Sequence, residues 1–246
     1  MKNCICLICY KPNIKWFDFL YKFKNYDIYV IIDDNNIDYR DVYKQYENIK
    51  VVQIPENECI VNGFTNMCSL TIPKQITGWD KATYYFSSIS TCYDNIWMME
   101  DDVFFYNEQT LINIDSQYPI ADLISNEYYN TENTDNYGNK WVWRNSIDIN
   151  FEPPYYNCMC CIIRVSSNLL LKIKNYANTN NKLVFLEALF PSVCKKNNMI
   201  YYTPDELKNI FYKDCNINNI NKTNVYHPIK NINYHIAIRN VLDMDV

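Results

Sequence analysis

Two apolar periods alternate along the first hundred residues. Cys4 to Tyr10 is a short continuous apolar run of strand type, and Lys11-Pro12-Asn13 follows as a turn. From Ile14 to Phe23, the residues Trp16, Phe17, Phe19, Leu20 and Phe23 recur at helical spacing. The pattern then repeats: a strand over Asp27 to Ile32, a helix over Tyr39 to Tyr46, and a strand over Lys50 to Ile54 stopped by Pro55. After a loop containing Gly63, Gly78 introduces a helix over Trp79 to Cys92, and Ile96 to Glu100 reads as a fourth strand. The second half is less regular. It predicts a strand over Ile120 to Ser125 and a long polar loop over Asn126 to Asn139. A break at Pro153-Pro154 precedes a strand over Tyr156 to Val165, a helix over Ser166 to Tyr176 opened by a Ser-Ser cap, and a helix over Leu183 to Lys196.

Strand and helix in regular alternation imply an α/β fold with a mostly parallel, Rossmann-like sheet covered by helices on both faces. Ligands of such sheets sit beyond the carboxyl ends of the strands. Two acidic clusters fall at those ends: Asp33-Asp34 after the second strand and Glu100-Asp101-Asp102 after the fourth.

Composition narrows the partners. The chain has 246 residues, 48% hydrophobic and 21% charged, with a net charge of −5. These are globular values for one domain, and without an extended basic block nucleic-acid binding is not expected. The excess of Asn, Ile, Lys and Tyr is what AT-rich codons encode, as in parasites and large DNA viruses. No apolar run approaches the roughly 20 residues of a membrane span. The apolar start is too short for a secretory leader. A cytoplasmic protein whose eleven cysteines are thiols is therefore expected. Cys158-Met159-Cys160-Cys161 lacks a second Cys/His pair at finger spacing, so these read as core cysteines of a strand.

The acidic triplet carries the most chemistry. Three carboxylates between apolar flanks need a neutralising partner if buried, and water if not. Glu100, Asp101 and Asp102 offer hard oxygen ligands of the type Mg²⁺ and Mn²⁺ take. Alternation along a strand puts Glu100 and Asp102 on one side and leaves Asp101 for another partner, such as a ribose hydroxyl. Asp33 and Asp34 are either acceptors for a nucleoside or a plain Asp-Asp-Asn-Asn turn. Lys81 is a candidate contact for a diphosphate or nucleoside, against an ordinary surface lysine. His227 is one of only two histidines, and imidazole suits Mn²⁺ better than Mg²⁺; the alternative is a core or loop histidine. Lys230 follows within reach of a phosphate. Glu187, among apolar neighbours, is a general base raised by desolvation or a member of an exposed helical face. Trp141 and Trp143 suit a sugar ring or the core.

Together these residues resemble nucleotide-sugar-dependent glycosyltransferases of the GT-A fold. The resemblance rests on Glu100-Asp101-Asp102 after an apolar strand, on Gly78-Trp79-Asp80-Lys81-Ala82 upstream, and on His227-Pro228-Ile229-Lys230 near the end. It implies a single GT-A-like domain with a nucleotide-sugar-binding half over about 1–105 and an acceptor half over about 106–246. It implies Mn²⁺ or Mg²⁺ held by Asp102 and His227, with Glu100 on the metal or the ribose and Asp101 on the donor. Cys9, Tyr10, Asp33 and Asp34 would then form the nucleoside site, with Lys81 and Lys230 adding positive charge. Trp141, Trp143 and Glu187 fall on the acceptor side. The implied donor is a UDP-sugar, most simply UDP-glucose, and the acceptor a glycan hydroxyl. The motif departs from the family's usual Asp-any-Asp, which bears on Glu100. Two other readings are a nucleotidyltransferase, which would want a glycine-rich loop where Cys9-Tyr10-Lys11-Pro12 stands, and a sugar-binding module without catalysis.

Overall fold

Alternation along the first strands assigns their side chains to two separate cores. In the computed structural model, which describes residues 2–68, 75–89, 92–126, 128–131, 155–213, 215 and 219–244, β1 spans Asn3–Cys9. Its Cys4, Cys6 and Ile8 enter one core, while Ile5, Leu7 and Cys9 enter the other. β2 (Asp27–Ile32) and β4 (Asn95–Glu100) split in the same way, Tyr29, Ile31, Ile96 and Met98 against Ile28, Val30, Ile32, Trp97 and Met99. A strand buried on both faces has no polar side to show, which is why these segments read as continuous apolar runs.

With β3 (Ile49–Gln53), β5 (Leu123–Ile124), β8 (Ile162–Ser166) and β9 (Tyr201–Tyr202), these strands form a seven-stranded sheet in the order β3-β2-β1-β4-β8-β5-β9. β1 to β4 are mutually parallel, β5 is parallel to β9, and only β8 opposes its neighbours. Short helices α2 (Tyr39–Val42) and α3 (Glu56–Val61) flank β3. One face of the sheet is covered by α1 (Ile14–Leu20) and α5 (Glu108–Gln117). The other is covered by α4 (Gly78–Ser88), α6 (Ser167–Asn180) and α7 (Leu186–Lys196). The expectation of a mostly parallel sheet with helices on both faces holds.

Two local expectations are corrected, and one element is new. The single strand over Tyr156 to Val165 is two: β7 (Tyr155–Cys158), paired with β6 (Tyr128–Thr131) in a separate hairpin, and β8 in the main sheet. The helix over Tyr39 to Tyr46 lasts one turn. The tail ends in a helix, α8 (Ile232–Met244), that the apolar pattern does not predict. The tail is stitched to the acidic turn. Phe104 and Tyr226 exchange backbone hydrogen bonds of 2.8 Å each, Ile229 N donates to Asp102 O at 2.7 Å, and Phe104, Tyr226, Ile229 and Leu242 bury a small core of their own. Before that bridge, β10 (Asn209–Ile210) pairs in parallel with β11 (Tyr226–His227). Among the described residues no helix is long and apolar enough to cross a membrane.

Candidate functional site

The site is built where β4 runs out. Glu100 is its last residue, and the chain turns at Asp101 and Asp102 before burying Val103, Phe104 and Phe105. The period of two puts Glu100 on the Met98 side, toward α4. There the Trp79 indole Nε1 donates to Glu100 Oε1 at 2.8 Å. Trp79 is positioned by the start of its helix, where Asp80 accepts from Thr77 N and Thr77 Oγ1 at 2.8 Å each, and from Met67 N at 3.1 Å. Gly78 is required by proximity, since a Cβ there would lie 2.7 Å from Cγ2 of Ile8 in β1.

The backbone bridge between residues 104 and 226 brings in His227. Its Nε2 lies 3.1 Å from Asp102 Oδ1 and 3.8 Å from Glu100 Oε2. Its Nδ1 is 2.6 Å from Phe211 O. A carbonyl only accepts, so Nδ1 carries the hydrogen and Nε2 is the atom turned to the carboxylates. Asp102 Oδ1 is a buried acceptor without a hydrogen-bond partner. An imidazole fixed by a backbone carbonyl, an acceptor of this kind and a second carboxylate fit a divalent cation. Burial, partly offset by the Trp79 hydrogen bond and reinforced by the Asp102 charge, pushes the Glu100 carboxyl up. A bound cation would reverse that shift.

These groups line a cavity of about 410 Å³ together with Trp79, Cys161, Phe185, Leu186, Glu187 and Lys230, a size within the usual range for small-molecule sites. Glu187 sits in the first turn of α7 and is only 8% exposed, so the reading as an exposed helical face is set aside. Lys230 is exposed at the rim.

The residues expected at the nucleoside lie apart from this cavity, at the ends of β1 and β2. Asp33 N and Asp34 N donate to the carbonyls of Cys9 and Tyr10 at 2.9 and 3.0 Å, extending the ladder. Cys9 is buried and Tyr10 exposed. Burial first, then the nearby Asp101 and Asp33 charges, push the Cys9 thiol up, which places both carboxylates beside that strand end. Asp101 is exposed, and its carbonyl accepts from Trp16 Nε1 at 2.9 Å. Asp34 is turned inward, accepting from Tyr39 Oη at 2.9 Å and from Asn36 N at 3.0 Å. Lys81 is not a surface lysine. It is fully buried, with Nζ 2.8 Å from Asp33 Oδ1 and 2.6 Å from Asp33 O. Trp141 and Trp143 lie outside the described residues.

Sequence reasoning missed three parts of the site: the Trp79 indole on Glu100, the Phe211 carbonyl on His227, and the Cys161 thiol. Cys158 and Cys160 do belong to the core, with sulfurs 3.5 Å apart, whereas Cys161 is half-buried at the cavity. All the cysteines are free thiols.

The second histidine has a structural place. His235 is fully buried with Nε2 2.7 Å from Ile229 O and its ring edge-on to Trp16 and Phe104. Burial pushes its pKa down to about 4. The unfolded value is about 6.5, so the neutral ring contributes stability that is complete above that pH and lost as pH falls toward 4. Between pH 7 and 4.5 the loss is expected to be about 2–3 kcal/mol. Urea unfolding of His235→Phe at both pH values should show a correspondingly smaller loss; an identical pH dependence would refute the assignment.

No protein-family model matches the chain, and no curated protein matches it. Similar solved structures include the 4-diphosphocytidyl-2C-methyl-D-erythritol synthase of Anaerococcus prevotii (10% identity, TM-score 0.47, 98% of this chain and 96% of that chain). They also include mouse xyloside xylosyltransferase 1 in its apo form (9% identity, TM-score 0.44, 83% of this chain and 85% of that chain). Likenesses this distant assign no activity.

Proposed function

We propose that this chain is a divalent-cation-dependent glycosyltransferase that uses a nucleoside-diphosphate sugar, with UDP-glucose the simplest donor and a glycan hydroxyl the acceptor. The observation that carries this reading is the convergence of Asp102, Glu100 and His227 on one cavity, with Glu187 on its wall and Lys230 at its rim. The residues that would hold the cation are Asp102 and His227, with Glu100 alongside. A divalent cation held there would supply positive charge that stabilises the departing diphosphate.

The chain's own residues divide the remaining work. Asp33 and Asp101, beside the end of β1, accept hydrogen bonds from the nucleoside. Lys230 adds a cationic group at the rim. The acceptor oxygen forms its bond to the anomeric carbon as the bond to the diphosphate oxygen breaks. In an inverting reaction the hydroxyl proton passes to the Glu187 carboxylate. In a retaining reaction the leaving phosphate takes it, and Glu187 orients the acceptor instead.

The test is a panel of UDP- and GDP-sugars incubated with purified protein and Mn²⁺, followed by release of nucleoside diphosphate. Cation-dependent release from at least one UDP-sugar is expected, and removal of the cation with a chelator should stop it. Absence of turnover together with absence of Mn²⁺-dependent nucleotide heat in calorimetry would overturn the reading.

A further inference from the structure

The cation site has a donor that the acidic motif does not announce. The last rung of the β4–β8 ladder, Glu100 N to Cys161 O at 2.9 Å, seats Cys161 directly beside Glu100. A carboxylate oxygen of Glu100, Sγ of Cys161 and a ring nitrogen of His227 all lie within 4.8 Å of one another. Ligand atoms held at about 2.0–2.3 Å by one tetrahedral ion sit on the order of 3.5 Å apart, so a contraction of about 1 Å closes the set. His227 is already oriented for it, because its Nδ1–H is committed to Phe211 O. Cys160 also lines the cavity, but its sulfur is turned to Leu186 O at 3.6 Å and to Cys158.

We propose that Cys161 is a ligand of this cation site, making it a mixed oxygen, nitrogen and sulfur centre that favours Zn²⁺ and Co²⁺ over Mg²⁺. The inference rests on the cation site of the preceding section and changes its selectivity. Carboxylate and water ligands suit Mg²⁺ and Mn²⁺, whereas a thiolate draws the site toward softer, thiophilic ions. The thiol loses its proton to solvent as the sulfur–metal bond forms, and no electron is transferred. With Zn²⁺ bound through Glu100, Cys161 and His227, Asp102 becomes the fourth donor, 3.1 Å from His227 Nε2. Such a four-donor set is a closed tetrahedron, while the transferase reaction needs a position open to phosphate. Zn²⁺ is therefore expected to bind tightly and to compete with Mn²⁺ rather than replace it in turnover.

The test uses Co²⁺ as a spectroscopic probe on the full, reduced chain. A thiolate bonded to Co²⁺ gives a near-ultraviolet charge-transfer band that oxygen and nitrogen donors do not. Wild type is expected to show that band, displaced by one equivalent of Zn²⁺. Cys161→Ser is expected to lose it while still binding Co²⁺ in calorimetry, at least about tenfold more weakly. Cys161→Ala, checked by circular dichroism, guards against a folding defect of the serine variant. Co²⁺ heat without the band in wild type, or a band that persists in both variants, overturns the role of Cys161 and leaves the Mn²⁺ reading standing. Absence of heat with Co²⁺, Zn²⁺ and Mn²⁺ alike overturns both.

Discussion

Asp102→Asn is expected to lower kcat for sugar transfer by about a thousandfold or more while leaving the protein folded. The exchange keeps the side chain's shape and removes one negative charge from the cavity. If charge stabilisation of the leaving diphosphate is worth several kcal/mol, about 4 kcal/mol of it lost corresponds to a factor of 10³. Stability should change far less than activity, because the nearest polar partner of the Asp102 side chain, His227 Nε2 at 3.1 Å, can still be met by the amide of the variant. The Asp102 charge also raises the neighbouring Glu100 carboxyl. Removing it relieves a like-charge contact, so the thermal midpoint should hold or rise slightly. Steady-state kinetics with Mn²⁺, Mn²⁺ calorimetry and a melting curve on the same sample check the three parts. Full activity in the variant would remove Asp102 from the machinery. Asp101→Asn is the contrasting case. Its side chain lies outside the cavity lining, so its effect is expected on donor KM, about tenfold, rather than on kcat.

The first half of the fold is legible because burial on both sheet faces writes itself into the sequence as apolar runs. β1, β2, β3 and β4 fall where those runs lie, within a residue or so of their bounds. Helices with few buried positions leave no such mark. α5 buries Leu111 and Ile114 but otherwise Thr110 and Asp115, and α8 buries only His235 and Leu242. α5 carries few apolar residues, and those of α8 run around the helix, with Ile236 and Val241 exposed beside Ile238 and Leu242, although Asn107 does cap α5 by accepting from Gln109 N at 3.0 Å. The division between β7 and β8 is silent for the opposite reason. The run from Tyr156 to Val165 is apolar apart from Asn157 and Arg164, and no Gly, Pro or Asp marks the step at Met159 to Cys161 where the chain changes sheets.

The site is half legible on the same grounds. Glu100 and Asp102 stand in a local pattern, and strand period alone aims Glu100 at the cavity. That His227 reaches them depends on two backbone hydrogen bonds between Phe104 and Tyr226, residues far apart in the chain. No local periodicity encodes such a bridge; the scarcity of histidine and the resemblance of the His-Pro-Ile-Lys segment point to His227 without placing it. Cys161 was hidden by its neighbours. Cys158 and Cys160 are core residues, and Cys161, beyond the turn, packs against the second core while also lining the cavity.

Lys81 is where the burial pattern and the sequence expectation part most clearly, and its removal is expected to have the largest effect on stability. A lysine one turn into α4 reads as a cation for a diphosphate. In the structure it is fully buried and spans from α4 to the end of β2, held by the Asp33 carboxylate at 2.8 Å and the Asp33 carbonyl at 2.6 Å. Lys81→Met keeps the stem and deletes the charge, leaving Asp33 without its cation. Breaking a buried pair from one side costs about 3–5 kcal/mol, which for a chain of this size lowers the melting temperature by on the order of 10 °C. Deleting both charges is a different matter, since a buried pair replaced by apolar groups is often nearly neutral. Lys81→Met combined with Asp33→Leu should therefore recover much of the lost stability, giving a coupling that a double-mutant cycle reads directly. Nucleotide calorimetry separates the two roles. If Lys81 positions Asp33, the double variant is stable and loses affinity for the nucleoside as well as for UDP. A Lys81→Met protein that melts like wild type, binds uridine normally and loses only the diphosphate's contribution would return Lys81 to the phosphate and remove it from the fold.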